Sequence, residues 1–124
     1  MNNNDRSKQL KQIDIENIIF IIYYFVITLS IIGNHIEKKY LLYGEEQDKN
    51  KYRNLLFIIF GIVFLIYLYY TIIGYEDLKD ITNQEIKRLS ELSLLASILV
   101  LISGIIYLYI IYKDQDLNVE LAFS

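Results

Sequence analysis

Residues 55–66 read LLFIIFGIVFLI, and residues 94–102 read LLASILVLI. Wound as helices, both are apolar or small on every side, whereas a helix in a soluble bundle keeps one face for water. Neither segment offers the polar face that a soluble helical bundle would need. Both are therefore read as helices that face lipid.

The distribution of charge extends that reading to the whole chain. Charged residues make up 22% and hydrophobic ones 54%, a mixture that would suit a soluble protein if it were evenly spread. Instead, all 12 basic and all 15 acidic residues lie within 1–16, 37–53, 76–91 and 113–124. The intervening runs, 17–36, 54–75 and 92–112, carry no formal charge. Each is close to the roughly 20 residues that a helix rising about 1.5 Å per residue needs to cross about 30 Å of hydrocarbon. We read the chain as an all-α, multi-pass integral membrane protein with three long transmembrane helices in an up-down-up antiparallel bundle. It is a single membrane domain over 1–124, with a short polar N-terminal tail and a C-terminal tail from residue 113. Arg6, Lys8 and Lys11 precede the first run as in a secretory signal, but Ile31, Ile32 and Gly33 offer no small-x-small cleavage site, so that run is expected to be retained.

The flanks predict helices longer than the bilayer requires. Ile36, Tyr40 and Tyr43 recur at helical spacing beyond the first run, and Gly44 supplies a stop. Asp48 is expected to cap the second helix, which leaves GEEQ as the connection. In the second connection, Thr82 and Glu85 form a T-x-x-E capping box, bracketed by Ile81 and Ile86 as a hydrophobic staple, so the third helix is expected to start near Asn83. Basic residues are equal in number on the two sides of the membrane, which leaves orientation without a decisive bias.

Several function classes lose their support at this level. A net charge of −3 with basic and acidic residues interleaved gives nucleic acid nothing to bind. No cysteine is present for disulfides or thiolate metal sites, and the one histidine, His35, has no companion ligands. The spans carry no ionisable carboxylate or amine of the kind that proton- or ion-coupled transport uses, and no Ser/His/Asp arrangement can be drawn. The expectation is a non-enzyme without cofactor or metal. Tyr67, Tyr69, Tyr70 and Tyr75 near the end of the second run, and Tyr107, Tyr109 and Tyr112 near the end of the third, read as aromatic belts at the two interfaces.

What remains points to association. Ser90, Ser93, Ser97, Val100 and Gly104 follow alternating spacings of three and four, forming a small-residue face on which another helix can approach closely. Tyr23, Ser30 and Asn34 lie on one side of the first helix, with Tyr24, Thr28 and His35 on the next; their hydroxyls are expected to bond back to their own helix. Leu117, Val119, Leu121 and Phe123 alternate with polar or small residues, the period of an extended segment that could add to a partner. The expected role is noncatalytic: a protein of a bacterial cell membrane that works by association with itself or with a partner protein, as an accessory, immunity or inhibitor, or assembly protein, surrounded by membrane lipid. The alternative is an oligomeric pore. In size and number of spans the chain resembles phage holins, a resemblance of layout that implies a pore-forming role, although Asp114, Asp116 and Glu120 make its tail acidic where holins commonly carry a basic one.

Overall fold

A computed structural model describes residues 3–119. Three helices run in sequence: α1 (Asn3–Tyr43), α2 (Glu46–Leu78) and α3 (Gln84–Lys113). Their 41, 33 and 30 residues correspond to lengths of roughly 60, 50 and 45 Å. All three are long and apolar enough to cross a membrane, and all overshoot it. From Asn3 the polar N-terminal tail is helical, the first part of α1.

The connections follow from local chemistry. Gly44 ends α1 in the left-handed region, φ 68°, and its N–H reaches the Tyr40 carbonyl at 2.7 Å. A side chain there would meet its own backbone, so glycine is favoured. The α2 helix begins at once, two residues before the expected Asp48 cap. Extended Glu45 takes the N-cap position without a side-chain bond, and its carbonyl accepts from the N–H groups of Asp48 and Lys49. Glu46 and Asp48 lie in the first turn, where their charge complements the helix dipole.

The capping box on Thr82 is corrected by one residue. Asn83 is the N-cap of α3, and its side-chain oxygen accepts from the N–H groups of both Glu85 (3.0 Å) and Ile86 (3.2 Å). One carboxamide thus satisfies two orphaned donors, whereas a box centred on Thr82 would use the Glu85 amide alone. Thr82 is exposed, and Glu85 contributes its backbone to the cap.

The bundle is arranged around α2. Both outer helices pack against it, and no Cα atom of α1 comes within 8 Å of one of α3 among the described residues. On α1 the buried residues are Ile19, Val26 and Gly33, one every seven positions. On α3 the shielded positions include Ser90, Leu94, Ser97, Leu101, Gly104, Leu108 and Ile111, alternating by four and three. Both are the seams of antiparallel helices that pack side by side at a shallow angle. The densest packing is Tyr52, Leu56 and Phe60 of α2 with Ile111 of α3, backed by Phe57 and Tyr107. The Phe60 and Tyr107 rings are 5.2 Å apart.

Outside the seams the helices are bare. Ile21 is 68% exposed, Leu65 63% and Leu99 57%, with many apolar neighbours like them. In water each large aliphatic side chain left uncovered would forgo about 1.5–3 kcal/mol, and the sum would exceed a typical folding stability of about 5–15 kcal/mol. Lipid removes that cost.

Close approach is tightest at Gly33, where an added Cβ would lie 3.1 Å from Leu55 Cδ2; at Gly61 nothing lies within 4 Å. Gly33→Leu is therefore expected to lower stability by about 1–3 kcal/mol through overpacking. Gly61→Leu should be close to neutral, and denaturant titration of the two variants in detergent checks the contrast.

Candidate functional site

The structure divides the small-residue face of α3. Ser90, Ser97 and Gly104 are half-buried toward α2, with Phe64 Cδ2 3.4 Å from where a Gly104 Cβ would be. Ser93 and Val100 are exposed at the side of this seam. The seam's other half is made by Leu94, Leu101 and Leu108, which interleave with the small residues. On the polar side of α1, Tyr23 meets Tyr67 of α2, and two hydroxyls bond back to their own helix. Thr28 and Ser30 donate to the carbonyls of Tyr24 (3.0 Å) and Val26 (2.9 Å), while Asn34 and His35 are exposed. Among the described residues, no group of three or more His, Cys, Asp or Glu is placed to hold a metal ion.

Two polar junctions tie the ends of the bundle together. At the first, the start of α2 meets the end of α3. Arg53 donates from one terminal nitrogen to the carbonyls of Ile111 (2.9 Å) and Tyr112 (3.3 Å), covering acceptors that the last turn of α3 leaves open. Lys49 bonds Glu46 at 2.8 Å and Asp116 at 3.2 Å, with only 10% of its side chain exposed. Those two carboxylates, Glu46 first, hold the Lys49 amine above its ordinary pKa of 10.5. Asp48 Oδ2 and Arg53 Nε are buried there with no hydrogen-bond partner among the described residues.

The C-terminal segment turns back onto this junction. The Asp114 carboxylate accepts from the backbone N–H groups of Asn118 (3.0 Å) and Val119 (2.6 Å). Leu117, at φ 55°, packs half-buried against the aromatic cluster. Residues 114–119 therefore form a turn where the alternating pattern predicts an extended run; Leu121 and Phe123, the rest of that pattern, lie outside the described residues. The folded-back segment closes one side of a groove of about 330 Å³, which Glu37 and Leu41 of α1 bound on the other.

At the opposite end, Lys8 of α1 bonds Asp77 of α2 at 3.2 Å, and this hydrogen bond raises the Lys8 pKa. Beside the pair, a second groove of about 320 Å³ runs over α2 between α1 and α3. Tyr67, Tyr69 and Tyr70 line it, with Glu16 from α1 and Ser93 and Ser97 from α3. The rings stand edge to face: Tyr67 to Tyr70 at 6.3 Å and Tyr69 to Tyr70 at 5.6 Å. The sequence shows these tyrosines as a belt. That they share a cleft with Glu16, some fifty positions away, depends on α1 and α2 lying antiparallel.

The raised Lys49 pKa fixes the sign of its pH dependence. Its contribution is complete below about pH 10.5 and is lost as pH rises through the higher folded value. Limited proteolysis after residue 113 should accordingly be slow and constant on the lysine's account near neutral pH, and should accelerate above about pH 10.5. Lys49→Met should show the fast rate at every pH. No protein-family model, curated protein or solved structure matches the chain.

Proposed function

We propose that this chain is a noncatalytic integral membrane protein, of a bacterial cell membrane, that works by associating with itself or with a partner protein in an accessory, inhibitory or assembly role. The observation that carries this reading is the open arrangement of the helices. Because α1 and α3 flank α2 without meeting, the bundle keeps two clefts and broad outer faces that a further helix could cover. In lipid such contacts are driven by close packing and interhelical hydrogen bonds, and the exposed positions Ser93 and Val100 on α3 are small enough to permit them.

The pore alternative receives less support. A water-filled path would be lined by hydroxyls free to face it, whereas Thr28, Ser30 and Thr71 each donate to the carbonyl one turn back on their own helix. Such bonds satisfy a polar side chain in lipid without a second chain or water.

The absence of cysteine makes the test direct. In native membranes, Val100→Cys should yield a discrete crosslinked species, either a dimer of this chain or a conjugate with one other polypeptide. Gly104→Cys, whose Cβ would lie 3.4 Å from Phe64 of α2, should crosslink far less. A chain that remains monomeric with cysteine at Val100 and also at Ser93 would overturn association, and collapse of the membrane potential on regulated expression would favour the pore.

A further inference from the structure

The tyrosine-lined cleft has a chemistry that its role as an interface belt does not use. Three phenol rings gather on one side, and their faces are regions of negative potential that attract a cation. Asp77 at the same groove is already neutralised by Lys8 at 3.2 Å. Glu16 forms no ion pair or hydrogen bond among the described residues, so it is the uncompensated charge at the cleft. It lines the same groove as Tyr70.

Position narrows the ligand. Glu16 immediately precedes the first charge-free run, Tyr67 to Tyr70 lie in the last part of the second, and Ser93 opens the third. The cleft therefore begins at headgroup depth and descends toward the acyl region. It opens sideways into the bilayer, because α1 and α3 do not close over α2. At about 320 Å³ it falls near the lower end of ligand-holding clefts, about 300–1,000 Å³. A cationic group tethered to a lipid would arrive at this depth by lateral diffusion.

We propose that the cleft between α1 and α3, floored by Tyr67, Tyr69 and Tyr70 and rimmed by Glu16, binds the ammonium headgroup of a zwitterionic membrane lipid. The carboxylate supplies the counter-charge and the tyrosine rings supply cation–π attraction, while Ser93 and Ser97 on the far wall can donate to the lipid phosphate. Anionic lipids without an amine lack the group that this site recognises.

Native mass spectrometry of the full chain in detergent tests the proposal, with phosphatidylethanolamine and phosphatidylglycerol of matched acyl chains as probes. Wild type should retain phosphatidylethanolamine about tenfold more strongly. Glu16→Gln and Tyr70→Leu should each bring it down to the phosphatidylglycerol level, whereas Tyr70→Phe, which keeps the ring face, should stay within about twofold of wild type. Circular dichroism reports whether each variant keeps its helices. Equal retention of the two lipids by wild type would overturn the proposal without reference to any variant. So would phosphatidylethanolamine retention that survives in folded Glu16→Gln and Tyr70→Leu, or a cleft that holds a lysine of a copurifying polypeptide and no lipid.

Discussion

Inside a bilayer an apolar side chain gains nothing by leaving its surroundings, since the lipid tails are as apolar as another helix. What holds α1, α2 and α3 together is contact quality along the seams, with polar bonds at the ends. This constraint accounts for where the small residues fall. Gly33 brings α1 against Leu55 and Tyr52, and Gly104 brings α3 against Phe64, so each outer helix has one glycine where a larger residue would hold it away from α2. Ser90 and Ser97 extend the same narrow line on α3, and the leucines between them fill the gaps. α2 differs from its neighbours because it is packed on two sides. It holds most of the buried residues, while α1 and α3 have one line of shielded side chains each.

The junctions at the ends play a different part. The Lys8 to Asp77 pair is exposed on both sides, and such pairs contribute little to stability. It acts on register: a helix as long as α1 could slide along its neighbour by a turn, and an ion pair beyond the bilayer favours one alignment. Arg53 does more, because its bonds go to main-chain carbonyls that have no helical partner. Since Arg53 is on α2 and its acceptors are on α3, these bonds form only while the two helices remain docked. Lys49 extends that coupling to Asp116, so the return of the chain over the groove depends on the start of α2.

The crossings were legible because they depend on one-dimensional properties: the length of each charge-free run and the absence of a polar face. The end of α1 was equally plain, since Gly44 follows the last helical tyrosine. The sequence places the cap of α3 one residue early because Thr82 and Asn83 are both competent caps, and only the backbone path decides which side chain can reach two free amides. The candidate site was less legible. A spacing of three and four fits two adjacent faces of a helix equally well, so Ser93 and Val100 joined Ser90, Ser97 and Gly104 in the sequence although they lie beside the seam. The line of Ile19, Val26 and Gly33 was invisible against an apolar background, where burial has no contrasting residue type to mark it. Nothing local marks Lys49 and Arg53 within their charged run, because their partners Asp116 and Ile111 come from the far end of the chain.

The same packing logic explains why the clefts persist. A three-helix bundle in water closes into a triangle, because every uncovered apolar strip is driven toward the core. In lipid that drive is absent, so α1 and α3 meet only if their surfaces fit, and the facing residues include bulky or charged groups such as Leu41 and Glu37 at one end and Glu16 at the other. Each outer helix finds its narrow line against α2 and stops there. The grooves left between them are therefore the result of a complete set of good contacts, with the charged and aromatic groups gathered where the bilayer gives way to water.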